Sequence, residues 1–216
     1  MRSADPAESG FTLIEMLVVL TIISVLAGLT LVGLQKARVS GDESATQNEI
    51  IMLASRIDAF ASGFGSPPPS SLSEIRGIKG NGINEGNECL FGCLLSKKKG
   101  GPFATDLKED RWKNVDADEL KGPDWKTIQK EMDWSRGTPG LLEYIDIWGN
   151  PFIYIQSRDY GKKLKYQAEG GEVFEVEARK NPATGTWMAN DRFQLWSLGP
   201  DGINQNGEGD DIVSWK

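Results

Sequence analysis

Between Phe11 and Leu34 the sequence runs for 24 residues with a single charged side chain, Glu15, and the first basic residue beyond it is Lys36. As an α-helix rising 1.5 Å per residue, this stretch is about 36 Å long, more than the roughly 30 Å hydrocarbon core of a bilayer. It is also too long for the apolar centre of a secretory signal. The pattern predicts a membrane-spanning helix between a short polar leader, MRSADPAESG, and a body that starts after Leu34.

That body reads as soluble and folded. Of the 216 residues, 25% are charged and 39% hydrophobic, enough for one ordinary globular domain behind an anchor. The net charge is −7 and no basic run occurs, so nucleic acid is excluded as a partner, because phosphate binding needs clustered Lys and Arg. There is no histidine, which removes the usual general base and the commonest transition-metal ligand together.

Glu15 is the anomaly in the span. A charge at the bilayer centre costs about 2.5–3.5 kcal/mol on insertion scales, and less near an end. Two readings fit the residues. In one, Glu15 lies within two turns of the interface and snorkels there or is protonated. In the other, a cut after Gly10 gives Phe11 a free α-amine one helical turn from the acid. Between chains, the amine of an incoming subunit then docks on the carboxylate of its neighbour, and the two charges compensate in low dielectric.

The run Gly10-Phe11-Thr12-Leu13-Ile14-Glu15, opening an apolar helix, resembles the class III signal of type IV pilins and type II secretion pseudopilins. The resemblance implies that prepilin peptidase cleaves between Gly10 and Phe11 and N-methylates the Phe11 amine, and that Glu15 matters for assembly. Two departures stand out. The leader holds one basic residue, Arg2, against Asp5 and Glu8, where the family has a more basic leader. Counting Lys and Arg on either side of the span therefore does not set the orientation; a cytoplasmic N-terminus and a periplasmic body are what the resemblance implies. Many family members also carry proline at the position of Val32, whereas here Gly28 and Gly33 flank it.

Beyond the span, Ala45, Ile50, Leu53, Ala54, Ile57 and Phe60 recur at threes and fours, predicting an amphipathic helix with one buried stripe. Gly41 interrupts the pattern, and Gly63 and Gly65 stop it before Pro67-Pro68-Pro69. Helical pieces are expected at Glu88–Ser96 and Asp124–Trp134. Cys89 and Cys93 sit four apart in NECLFGCLL, which fits either two buried thiols or a local disulfide. Zinc needs ligands beyond these two.

Strands are expected at 151–155, at 164–168 and 173–178 about a Gly170-Gly171 hairpin turn, and at 193–196. Asp146-Ile147-Trp148-Gly149-Asn150-Pro151-Phe152 resembles the D-P-W-G-N-P-aromatic signature that opens the sheet of the major pseudopilin. The expected fold is α+β and pilin-like: a long N-terminal helix packed on a small antiparallel sheet, with an enlarged helical connection. The expected segments are a leader (1–10), a polymerisation helix (11–34), its amphipathic continuation (35–66), the connection (67–147), and the sheet with its acidic loop (148–216).

The C-terminal segment WSLGPDGINQNGEGDDIVSWK places Asp201, Glu208, Asp210 and Asp211 within eleven residues, among glycines that let the backbone curl. Calcium takes six to eight hard oxygens, which such a loop offers, although the residues equally fit a solvated acidic turn. The spacing is not that of an EF-hand, since Gly202 occupies the opening position and the bidentate Glu is missing. Ser197-Leu198-Gly199-Pro200-Asp201-Gly202 and Asp210-Asp211-Ile212 followed by Trp215 resemble the S-L-G-A-D-G…D-D-I…W ending of the major pseudopilin. The resemblance implies a calcium ion held by Asp201, Asp210, Asp211 and the Leu198 carbonyl, with Glu208 a further candidate.

Together these motifs imply a structural subunit rather than an enzyme. The expected partners are further copies of the chain, minor pseudopilins, prepilin peptidase and an inner-membrane secretion platform. A type IV or competence pilin shares the N-terminal signal. An anchored hydrolase using Asp201 with Asp210 and Asp211 is a poor fit, because neighbouring acids on one loop do not flank a scissile bond. A membrane-tethered calcium module that never polymerises is the remaining reading.

Overall fold

The computed structural model describes residues 11–75, 78, 80–119 and 140–215. The expected leader and the helix at Asp124–Trp134 lie outside the described residues. One helix, α1 (Leu13–Phe64), carries the apolar span and runs on into the amphipathic stretch. Gly41 does not interrupt it: a single glycine costs about 1 kcal/mol relative to alanine, which the long flanking helix tolerates. The chain nevertheless divides into two compact units between Gly41 and Asp42.

In the first unit the described side chains of α1 are exposed throughout. Its hydroxyls turn inward on the helix: Thr21 donates to the Leu17 carbonyl (2.8 Å), Ser24 to Leu20 (2.7 Å) and Thr30 to Leu26 (3.0 Å). A helix that hides its polar atoms on its own backbone and exposes Leu, Ile and Val suits an apolar solvent. Among the described residues this is the one helix long and apolar enough to cross a membrane.

The second unit is built around a three-stranded antiparallel sheet, β3 (Ile153–Gln156), β6 (Phe193–Ser197) and β7 (Ile212–Val213), with β6 central. Both β3 and β6 are buried along their whole length, so each face must be covered. Alternate side chains serve alternate faces. Tyr154, Phe193 and Leu195 join one core cluster with Ile50, Leu53, Ile57 and Phe60 of α1 and with helix α2 (Glu85–Leu95). Ile153, Ile155 and Trp196 join the other, with Tyr166 and Val176 from the hairpin of β4 (Leu164–Gln167) and β5 (Val173–Val176). The hairpin pairs Gln167 with Val173 and turns through Gly170 at φ +68°.

Helix α2 is buried from Gly86 to Leu95, and its backbone lies directly on β3. A Cβ on Gly86 would come within 2.4 Å of the Tyr154 carbonyl oxygen, so only glycine fits there. Next to it, the buried Asn87 closes a gap between elements. Its amide nitrogen donates to the carbonyls of Tyr144 (2.9 Å) and Phe152 (2.7 Å), and its oxygen accepts from the Tyr144 N–H (2.7 Å). A second small sheet, β1 (Trp112–Lys113) with β2 (Glu143–Tyr144), is held against this helix.

The buried stripe of α1 differs from expectation at its start. Ala45 is exposed, and Thr46 and Glu49 take the buried positions ahead of Ile50. Glu49 is tolerated there because the Arg111 guanidinium and the Tyr144 hydroxyl both bond its carboxylate. Cys89 and Cys93 are free, buried thiols in the first cluster, and burial pushes the Cys93 thiol up to about 12.

Candidate functional site

At the start of α1, Gly10 lies outside the described residues, while Phe11 is well exposed. Thr12 and Glu15 bond each other reciprocally. The Thr12 backbone N–H and hydroxyl donate to Glu15 Oε2 at 2.8 and 2.7 Å, and the Glu15 N–H donates to Thr12 Oγ1 at 3.3 Å. This is a capping box, T-x-x-E, which satisfies N–H groups that have no partner at a helix start. The acid therefore has a task within its own chain that the sequence reading missed, although Thr three residues before Glu, ahead of an apolar run, is its local signal.

The two C-terminal motifs meet in space. Asp146 is buried; its Oδ1 accepts from the N–H groups of Trp148 and Asn150 (both 2.9 Å), closing the turn that leads into β3. Its Oδ2 accepts from the Ser197 hydroxyl at 2.6 Å, and that hydroxyl in turn accepts from the Gly199 N–H at 3.1 Å. Burial raises the Asp146 carboxyl, and these donors oppose the shift. The turn at 146–150 thus fixes where the acidic loop leaves β6.

Within the loop, Asp210 Oδ2 accepts from the Asp201 N–H (3.1 Å), joining the two ends. Asp201 accepts from the Ile203 N–H (2.7 Å) and the Gln205 side chain (3.3 Å). Asp211 Oδ2 accepts from the N–H groups of Gln205 (3.1 Å) and Gly207 (2.6 Å), while its Oδ1 is buried without a hydrogen-bond partner among the described residues. Burial, with Asp210 and Asp201 adding repulsion, raises Asp211 to about 6. Asp210 and Asp211 line a groove with Glu43 and Gln47 of α1. Glu208 is engaged elsewhere, in an ion pair with Arg179. Leu198 is fully buried in the second core cluster. Trp215 packs edge-on against Trp196, ring centroids 5.8 Å apart, and Gly207 leaves room for it, since a Cβ there would meet Trp215 Cζ2 at 2.4 Å.

Among the described residues, the carboxylates whose oxygens converge within 4.8 Å of one another are Glu88, Asp116 and Asp118. The four acids of the C-terminal loop do not form such a set. Glu88 is fully buried on α2, where burial and the neighbouring Glu143, Asp118 and Asp116 all push its carboxyl well up. Burial likewise raises Asp118 to about 6 and Glu143 to about 8. Sequence reasoning passed over this trio because Glu88 lies on α2, far in the chain from the turn that carries Asp116 and Asp118; the only local signal is the alternation of acids in Asp116-Ala117-Asp118.

Comparison with known proteins bears on the first of these regions. Residues 5–31 match the family model of the prokaryotic N-terminal methylation motif. The match spans the Gly10–Glu15 run and most of the apolar helix, so the motif supports a type IV pilin-like or pseudopilin protein, of the kind that prepilin peptidase processes and that polymerises. The methylation motif and the exposed apolar helix fit a membrane-anchored, single-pass protein. The α+β architecture, a long N-terminal helix packed on small antiparallel sheets, agrees with a pilin-like fold. No curated protein and no solved structure matches the chain.

Proposed function

We propose that this chain is a structural pseudopilin subunit of a type II protein secretion system. Cleaved between Gly10 and Phe11 and methylated at the new amine, it polymerises through α1 into a short periplasmic pseudopilus. Its partners are further copies of itself, the minor pseudopilins and the inner-membrane secretion platform, and its body faces the periplasm. The observation that favours a pseudopilin is the bond between Asp146 and Ser197. It joins the two motifs that resemble the major pseudopilin, which lie 51 residues apart in sequence. Deleting the gene should abolish release of folded extracellular enzymes and leave surface fibres intact. Loss of surface fibres with normal enzyme release would instead make the chain a type IV pilin.

Calcium belongs to this proposal through the C-terminal loop. The buried, unpartnered Oδ1 of Asp211 is an oxygen that still needs a positive group, and Asp210 sits beside it on the groove. Asp201, Asp210, Asp211 and the Leu198 carbonyl would hold the ion; Glu208, bound to Arg179, is left out. Bound calcium supplies charge neutralisation, so the acids no longer repel one another and the chain end stays on β6 with Trp215 on Trp196. A ligand present at 100 times its Kd stabilises by about 2.7 kcal/mol, which is several degrees in a melt. Asp210→Ala should shrink the rise in Tm that calcium gives the wild type over chelator. An equal rise in both proteins would remove calcium from this loop.

A further inference from the structure

We propose that Glu88, Asp116 and Asp118 form a site for one hard divalent cation, of the calcium or magnesium class, linking helix α2 to the turn that follows β1. Two independent observations support it. The three carboxylates each bring an oxygen within 4.8 Å of the others. Glu88 is in addition completely buried, and neither of its oxygens has a hydrogen-bond partner among the described residues.

Among the described residues, the surroundings of Glu88 do not supply what it lacks. The charged groups that act on it, among the described residues, are Glu143, Asp118, Asp116 and Glu85, every one an acid. Glu143 is already satisfied, accepting from the Asn84 side chain and the Val115 N–H, both at 2.9 Å. Asp116 accepts from the Asn81 side chain (2.7 Å) and the Asp118 N–H (3.2 Å), and Asp118 accepts from the Leu141 N–H (2.9 Å). These donors hold the two aspartates in place but do not reach Glu88. A proton on Glu88 would remove its charge and still leave a buried oxygen without a donor, which native interiors avoid. A cation answers both needs at once. The donor set consists of carboxylate oxygens, with water free to complete the shell from the half-exposed aspartate side, and this selects calcium or magnesium over softer metals.

This site is separate from the C-terminal loop, and variants distinguish the two. The test is calorimetric titration of calcium, and in parallel magnesium, into the full chain, stripped with chelator and held in detergent. Glu88→Gln keeps the shape of the side chain and removes its charge; Asp116→Asn does the same on the half-exposed turn. Each should bind one equivalent fewer than wild type, with an unchanged circular dichroism spectrum, and should still respond to Asp210→Ala. Should Asp210→Ala leave the stoichiometry intact while Glu88→Gln reduces it, the loop proposal fails and this one stands. Wild-type stoichiometry for both metals in either folded carboxamide variant would overturn the site, and the acids would then be neutral groups without an ion. Magnesium binding at the same equivalent with the tighter affinity would assign the ion to magnesium rather than calcium.

Discussion

Glu15→Ala is expected to leave the protein in the membrane as monomers that build no filament. The expectation rests on two separate jobs of one carboxylate. Within the chain, Glu15 closes the capping box with Thr12, and losing a cap costs about 0.5–2 kcal/mol. That is minor for a helix of 52 residues. Between chains, the proposed partner is the Phe11 amine exposed by cleavage after Gly10. An amine and a carboxylate meeting in low dielectric hold each other strongly, and deleting one partner leaves the other as an uncompensated charge. Glu15→Gln separates the two jobs, because glutamine preserves the capping box but carries no charge. If the Glu15→Gln protein is processed and membrane-inserted yet fails to polymerise, assembly is assigned to the charge. Normal filaments from that variant would reduce Glu15 to a helix cap.

The second large effect lies in the body. Arg111→Ala should lower stability by about 3–5 kcal/mol, because it strips the cation from Glu49 and leaves a nearly buried carboxylate facing Tyr144 alone. A domain of this size shifts by roughly 2–4 °C per kcal/mol, so the melt should fall by about 6–20 °C. The pair fastens α1 to the rest of the second unit: Glu49 is on the helix, Arg111 just precedes β1, and Tyr144 is on β2. Replacing both charges together, Glu49→Leu with Arg111→Met, should recover much of the loss, since no lone charge is left behind. A fall of under about 2 °C in the single variant would mean that Glu49 needs no partner.

These two acids mark where the sequence spoke clearly and where it did not. The apolar span announced itself by length and composition. The strands β3 to β6 announced themselves through β-branched and aromatic runs and a Gly-Gly turn. Helix α2 was visible because most of its residues are apolar or small. By contrast, β1, β2 and β7 are two residues long each. Segments so short carry no periodicity, and their pairing is set by the elements they meet. Polar residues caused the other misses. A helical pattern read by apolar positions skips Thr46 and Glu49, because what makes Glu49 acceptable inside is an arginine 62 residues away. Asn87 and Glu88 read as ordinary residues of a helix start, yet both are buried, one meeting backbone from β2 and from the residue before β3 and the other facing acids from a distant turn. Motifs fared better than patterns at the C-terminus. The resemblance brought 146–152 and 197–202 into one account, and the structure brings the same stretches into contact. It could not foresee that Glu208 turns to Arg179, since nothing local pairs them.

Everything proposed for the N-terminal helix depends on a cut that creates a charged amine next to Glu15. Peptide mapping of the native protein by mass spectrometry should find a mature chain that begins with N-methylated Phe11 and no peptide that spans Gly10 and Phe11. Recovery of the intact Met1–Phe11 junction from the membrane-inserted, assembled protein would contradict the account.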